Sequence, residues 1–293
     1  MRLVGYRLPG GDDVRVGDLV DAPAGTGADA PGGLVVPVTT VRDFWLDPRA
    51  HVAAARSAGT TGALPVERVE LLPLVPPSAR VLCIGLNYRA HAAEGGFTPP
   101  PHPTIFGRWT ASLTAGGVPA PVPAGEAGLD WEGEVLAYVA ETIADADADT
   151  ARAAVLGYST FNDLTARRAQ KLTAQWTLGK NGDRSGPTGP LVPADEVGDL
   201  REGLAVRTRV NGELVQDGNT RDMIFEVGEI LSLVSRTFTL HPGDVVATGT
   251  PDGVGYVRTP PWLLQPGDVV EVDVERLGVL RTPIVDAGGR KGA

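Results

Sequence analysis

Glu132-Gly133-Glu134-Val135-Leu136-Ala137-Tyr138-Val139-Ala140 is the stretch on which the fold turns. It reads as an extended strand that enters an apolar run, and in such a strand residues i and i+2 project from one face. Glu132 and Glu134 therefore aim at one point beside a hydrophobic layer. Two carboxylates held close and partly desolvated repel each other, so the arrangement calls for a shared proton, a neighbouring base or a divalent cation. A third acid, Asp163, ends the run Val155-Leu156-Gly157-Tyr158-Ser159-Thr160-Phe161-Asn162, which also reads as a buried strand. Three carboxylates then become available to one ion. Asp130 lies on the same face by parity, and spacing alone does not exclude it as a ligand.

Working outward, strand-like runs dominate from Val81: residues 81–86, 132–140, 155–162, 204–210, 244–248 and 268–275. Helical patterns are fewer, over 87–94, 164–170 and 223–235, the last being the clearest amphipathic one. Asn211-Gly212 is a two-residue hairpin signal between two short strands. Pro242-Gly243-Asp244-Val245-Val246 recurs as Pro266-Gly267-Asp268-Val269-Val270, too few copies for a solenoid. Helices do not alternate regularly with strands, so the expected class is α+β, mainly β, with a rolled or barrel-like mixed sheet.

Ahead of this region, residues 1–7 and 14–20 read as a hairpin joined by Pro9-Gly10-Gly11-Asp12-Asp13. A Gly/Ala/Pro/Asp-rich loop over 22–33 follows. Next come a short helix over 40–46 with a threonine cap and a second over 49–57, separated from the first by Pro48. Pro73, Pro76 and Pro77 then interrupt the pattern, which divides the chain into a small N-terminal α/β module, 1–76, and a main domain, 77–293.

The 293 residues suffice for a large core without staples. One cysteine, Cys83, rules out a disulfide framework within the chain and is consistent with a reducing, cytoplasmic compartment. No apolar stretch of about 18 residues and no basic-then-apolar N-terminus is present, so neither a membrane span nor a secretory signal is expected. A net charge of −10 without Lys/Arg clusters disfavours nucleic acid and leaves small substrates or protein partners as the expectation. Gly249 to Gly255 lacks the lysine of a P-loop and the strand-to-helix order of a dinucleotide fingerprint.

Several separate motifs, in order, resemble the fumarylacetoacetate hydrolase superfamily. They are Ile84-Gly85-Leu86-Asn87-Tyr88-Arg89-Ala90-His91-Ala92-Ala93-Glu94, Leu129-Asp130-Trp131-Glu132-Gly133-Glu134 and Asn162-Asp163-Leu164-Thr165-Ala166-Arg167. Trp176-Thr177-Leu178-Gly179-Lys180, the Asn211-Gly212 hairpin and the segment from Pro242 to Gly255 continue the pattern, so that the likeness spans about residues 78 to 285. It is closest to the branch of acylpyruvases and 2-hydroxyhepta-2,4-diene-1,7-dioate isomerases. The resemblance implies the mixed β-roll of that family's C-terminal domain, a homodimer or larger assembly, and an active site holding Mg²⁺ or Mn²⁺ that acts on 2-oxo acids and related diketones.

Carried over residue by residue, the resemblance makes Glu132, Glu134 and Asp163 the metal ligands, and their hard oxygens suit Mg²⁺ or Mn²⁺ better than zinc. His91 and Glu94 share a helical face at i and i+3. The resemblance makes them a base and its orienter on a lid, with Gly95 and Gly96 permitting movement. It places Lys180 near a developing oxyanion, Arg167 and Thr250 against the substrate carboxylate, and Gln170 and Tyr88 as weaker substrate-binding candidates. Two positions depart from the common pattern: Gly182 replaces a phenylalanine, and Arg108 replaces a lysine. The expected reaction is hydrolysis of a C–C bond in an acylpyruvate-like 2,4-dioxo acid through a metal-bound enolate. The alternatives are decarboxylation or tautomerisation of a 2-oxo or 2-hydroxy-dienoic diacid on the same site. Residues 97–112 and 252–262 are expected to form the distal pocket.

Overall fold

The decisive stretch becomes the strand Gly133–Val139, with every residue buried. In the computed structural model, which describes residues 1–21, 33–96, 98 and 100–288, it lies inside an eight-stranded sheet. The loop expected over 22–33 falls largely on 22–32, outside the described residues, as do 97 and 99 of the expected pocket loops.

Along the chain, β1 (Leu3–Arg7), β2 (Arg15–Val20), β3 (Leu34–Thr40), β4 (Leu64–Pro65) and β5 (Glu70–Leu72) form one five-stranded sheet in the order β4-β3-β2-β1-β5. Then follow β6 (Val81–Gly85), β7 (Thr104–Arg108), β8 (Leu113–Ala115), β9 (Ala120–Val122), β10 (Gly133–Val139), β11 (Val155–Asn162), β12 (Gly186–Thr188) and β13 (Val192–Pro193). The last strands are β14 (Ala205–Val210), β15 (Glu213–Asn219), β16 (Val245–Ala247), β17 (Val269–Val274) and β18 (Gly278–Asp286). The central sheet runs β7-β6-β16-β10-β11-β12-β8, with β13 also on β11. The third runs β15-β14-β17-β18-β9. The fold is α+β and mainly β, with curled sheets.

Alternation along β10 explains how the layers stack. Val135, Ala137 and Val139 share a core with Val206, Val272 and Val274 of the third sheet and with Ile230, Leu231 and Val234 of the helix Val227–Ser235. Leu136, Tyr138 and Ala140 point the other way and pack with Leu3, Val16, Phe44 and Trp45 near the N-terminus, where Tyr138 stacks on Trp45. A strand covered on both faces is apolar throughout, whereas β14, with every second residue buried, alternates. Each fully buried valine or leucine contributes about 1.5–3 kcal/mol. That burial offsets the several kcal/mol that desolvating a carboxylate costs at the end of the same strand.

Where local expectations differ from the structure, capping chemistry decides. Pro48 is the first residue of the helix Pro48–Ser57, not a break before it, because Asp47 caps the helix and proline at that position loses no hydrogen bond. The long amphipathic pattern from 223 becomes helical only at Val227, where Glu226 and Glu229 form a capping box. The helix expected over 164–170 shrinks to Arg167–Gln170, and that over 87–94 to Arg89–Glu94. Strands β3, β7 and β18 carry prolines, glycines or charges in their sequences and were not expected. No helix among the described residues is long and apolar enough to cross a membrane.

Candidate active site

Register brings the acids together. β10 and β11 run antiparallel with Gly133 opposite Asn162 and Glu134 opposite Phe161, so the next step outward sets Glu132 opposite Asp163. The Asp163 N–H donates to the Glu132 carbonyl at 2.9 Å, and the Glu132 N–H donates to Asn162 Oδ1 at 3.0 Å. Glu134 follows two residues on, and one carboxylate oxygen from each of Glu132, Glu134 and Asp163 lies within 4.8 Å of the others. Gly133 separates the two glutamates because the third sheet packs close there: a Cβ on it would meet Thr208 Oγ1 at 2.4 Å.

Each acid has a different set of partners. Glu132 accepts from Lys180 Nζ at 2.6 Å and pairs with Arg167 at 2.7 Å. Burial pushes its carboxyl up, but Lys180 and then Arg167 outweigh it and lower the pKa to about 2. Asp163 accepts from Arg108 Nε at 2.5 Å and from Lys180 Nζ. Among the described residues Glu134 has no cation of its own. One of its oxygens accepts the Gly249 N–H at 2.9 Å, and burial, then the charges of Asp163 and Glu132, raise its pKa well above the ordinary 4.5.

At this cluster, among the described residues, four buried carboxylates, Asp130, Glu132, Glu134 and Asp163, thus stand against three buried cations, Arg108, Arg167 and Lys180. The negative excess centres on Glu134. An all-oxygen, carboxylate-rich set of this kind fits a hard divalent ion, Mg²⁺ or Mn²⁺, better than zinc or copper. Burial lowers the Lys180 pKa, but the charges of Asp163 and Glu132 more than reverse it, so the side chain stays an ammonium.

A cavity of about 490 Å³ opens onto this cluster, lined by Glu132, Glu134, Lys180, Arg167, Thr250, Gln170 and His91 among others. Asp163 lies beneath the lining. His91 Nδ1 is 3.3 Å from Glu94 Oε2, and Glu94 also accepts the Gly253 N–H at 2.9 Å, which ties the helix Arg89–Glu94 to the loop after β16. The carboxylate thereby orients the ring that faces the cavity. The backbone around this helix is fixed by Asn87, whose buried side chain donates to the carbonyls of Thr248 and Phe225 and accepts from the Phe225 N–H.

The remaining candidates do more holding than their expected roles imply. Arg167 spends its guanidinium on Asp130 and Glu132 at 2.7 Å and on Gln170 Oε1 at 3.0 Å, although it still borders the cavity. The Thr250 hydroxyl donates to the Gly133 carbonyl and accepts from Gln216 Nε2, both at 2.9 Å. Tyr88 is not part of the cavity lining: its ring is buried, its hydroxyl has no partner among the described residues, and burial, then the Glu134 charge, raises its pKa.

Three supporting residues frame the cluster, and spacing leaves the first of them, Asp130, open as a ligand. Asp130 is not free for an ion: it takes Arg167 and the N–H groups of Gly255 and Tyr256. Gln216 accepts from the Gly133 N–H and from Thr208 Oγ1. Arg108, noticed only as a departure, is fully buried and donates to Asp163, Ser112, Ser185 and the carbonyls of Leu164 and Lys180. Replacing it with methionine should cost about 3–5 kcal/mol, the usual loss when a buried pair is broken from one side. At about 2–4 °C per kcal/mol for a chain of this size, Tm should fall by about 6 °C or more, with Arg108→Lys retaining part of it. A Tm within a degree of wild type in thermal denaturation would show that Asp163 does not depend on this guanidinium.

Comparison with known proteins agrees with this geometry. The fumarylacetoacetate (FAA) hydrolase C-terminal family matches residues 80–285. The chain belongs to the fumarylacetoacetate hydrolase family. Within it, the chain is 34% identical over 298 residues to the human mitochondrial oxaloacetate tautomerase FAHD2A, covering 97% of this chain and 92% of that protein. The structure of 5-carboxymethyl-2-hydroxymuconate delta-isomerase from Mycobacterium smegmatis superposes with a TM-score of 0.75 at 29% identity, covering 98% of this chain and all of that one. Fumarylpyruvate hydrolase from Pseudomonas aeruginosa, solved with Mn²⁺ and pyruvate, gives a TM-score of 0.65 at 34% identity over 74% of this chain and 92% of its own. Fumarylacetoacetate hydrolase family members therefore include tautomerases, isomerases and hydrolases of small acids.

Proposed function

We propose that the protein is a divalent-metal-dependent enzyme of 2-oxo acids whose reaction passes through an enolate, and that its reaction is keto–enol tautomerisation. The observation that carries this reading is the shared cavity, whose lining brings His91, itself paired with Glu94, together with Glu132, Glu134 and the Lys180 ammonium. Glu132, Glu134 and Asp163 would hold a Mg²⁺ or Mn²⁺ ion, which supplies Lewis-acid polarisation of the 2-oxo carbonyl.

This chain's own residues supply the rest. His91, oriented by Glu94, removes a proton from the carbon next to the carbonyl, and the electron pair moves into a C=C bond. Lys180, held as an ammonium beside Glu132 and Asp163, places positive charge where the oxygen becomes negative. Returning the proton to that oxygen gives the enol, with atoms and charge conserved. Arg167, fixed by Asp130 and Gln170, keeps Glu132 in place. Tautomerisation needs only one base and one stabilised oxyanion, and the presence of His91 and Lys180 in one lining supports it; the likeness to an oxaloacetate tautomerase across 97% of the chain supports the same reading.

Hydrolysis of a 2,4-dioxo acid is the second reading, favoured by the likeness to fumarylpyruvate hydrolase. There His91 would take its proton from water, and an enolate would leave. Purified protein with Mg²⁺ or Mn²⁺ should be given oxaloacetate and acylpyruvates while enol absorbance, pyruvate and CO₂ are followed separately. Accelerated enol loss without pyruvate or CO₂ is the expected result. Pyruvate release from an acylpyruvate at the higher specificity constant would replace it with the hydrolytic reading.

A further inference from the structure

We propose that Lys171 and Tyr256 form a clasp at the cavity mouth that binds the second carboxylate of the substrate, so that the site selects 2-oxo diacids over 2-oxo monoacids. The inference deepens the proposed function and rests on it. The cavity has two polar ends. Its floor is the buried cluster of Glu132, Glu134 and Lys180, and its rim carries Lys171 and Tyr256, both exposed. The rest of the lining is largely apolar and includes Ile84, Phe106, Trp176 and Val254. A ligand with an acidic head, a short hydrocarbon middle and an acidic tail matches that sequence of surfaces.

The cations along this wall are not equivalent. Arg167 and Lys180 are each shared between two carboxylates. Among the described residues Lys171 has no carboxylate partner: its ammonium donates to the Tyr256 hydroxyl and lies 3.6 Å from the centre of that ring. An ammonium has three N–H donors, and with one spent on Tyr256 two remain for an anion. The ring limits where the flexible lysine stem places them, which reduces the entropy lost on binding.

The clasp is also built on the struts of the floor. Lys171 directly follows Gln170, which accepts from Arg167, and the Tyr256 N–H donates to Asp130, the carboxylate that holds Arg167 from the other side. Distal and proximal ends are thus referenced to one Arg167–Asp130 unit, and a ligand spanning both meets a spacing set by the fold.

The test is binding of 2-oxo acids to Mn²⁺-loaded protein by calorimetry, using oxaloacetate, 2-oxoglutarate and 2-oxoadipate beside monoacids of matched chain length. Wild type should prefer at least one diacid to its monoacid partner by about tenfold, which is about 1.4 kcal/mol. Lys171→Met should remove that preference while leaving monoacid affinity within about twofold, and Lys171→Arg should restore most of it. The preference in wild type should weaken as salt is raised, because an exposed charge contact is screened. An unchanged diacid-to-monoacid ratio in Lys171→Met would overturn the clasp and leave the proposed function standing. Failure of every 2-oxo acid to bind wild type would overturn both.

Discussion

Glu134→Gln should lower kcat/KM by about a thousandfold or more, abolish Mn²⁺ binding, and yet make the metal-free protein more stable than wild type. The first two effects follow from the charge balance, since Glu134 is the member of the acidic triad with no cationic partner and carries the negative excess of the cluster. Lewis-acid stabilisation contributes several kcal/mol at 1.36 kcal/mol per decade of rate, hence the magnitude. The third effect separates this explanation from simple damage. Glutamine is isosteric and keeps an oxygen for the Gly249 N–H, while it removes a buried charge lying against Asp163 and Glu132. In wild type the carboxyl is raised above 4.5, first by burial and then by those two charges. The native state therefore holds this proton more tightly than the unfolded chain does, and stability is lost as pH climbs above about 4.5 toward the raised value. The advantage of glutamine should accordingly be absent at low pH and grow with rising pH. Denaturation of the chelated proteins at several pH values measures it. A glutamine variant less stable than wild type across that range would mean that Glu134 is compensated by something other than a divalent ion.

How much of this was legible beforehand depends on the range of the interaction. The alternation of β10, the hairpin at Asn211-Gly212 and the i, i+3 placement of His91 and Glu94 are local, so sequence spacing exposes them. The convergence of Asp163 on Glu132 needed one long-range fact, the antiparallel register of β10 on β11, which the two apolar runs are consistent with but do not specify. The struts were hidden for a related reason. Arg108 lies 55 residues from Asp163, and Gln216 lies 83 from Gly133. Nothing near an arginine in Phe106-Gly107-Arg108-Trp109 marks it as fully buried, although the departure from lysine drew attention to the position. Arg167 borders the cavity as its motif leads one to expect, but its partners are long-range and do not show in its spacing. Its motif points to substrate, while the fold engages its donors with Asp130, Glu132 and Gln170 before a substrate arrives.

The same packing logic fixes what glycine contributes at the site. At Gly249 the backbone is left-handed, with φ of +94°, and a Cβ would meet the Asn87 Cβ at 2.8 Å. That close approach joins two functions. The Gly249 N–H reaches Glu134, and Asn87, on the other side, fixes the start of the helix that carries His91. This contact between two loops is thus one physical link between the acidic cluster and the helix that carries the base.

His91→Ala is expected to divide the reactions open to this cavity. Proton removal from carbon and activation of water both need the imidazole, and a positioned general base contributes about 10²–10⁴-fold. Tautomerisation and any hydrolysis should therefore fall together by that factor. Decarboxylation of oxaloacetate differs, because the electron pair of the enolate comes from the C–CO₂ bond and no base is required. Whatever decarboxylation wild type shows should survive within a few-fold, and Mn²⁺ affinity should not change, since His91 is not one of the three clustered acids. Glu94→Gln should produce a smaller version of the same split. It keeps a side chain able to accept the Gly253 N–H but removes the charge beside Nδ1, so the loss should appear in kcat rather than KM. If tautomerisation ran at wild-type rate in His91→Ala with metal affinity intact, the base would have to be sought elsewhere on the cavity wall, and the orientation of His91 by Glu94 would be a packing feature of the helix rather than part of the chemistry.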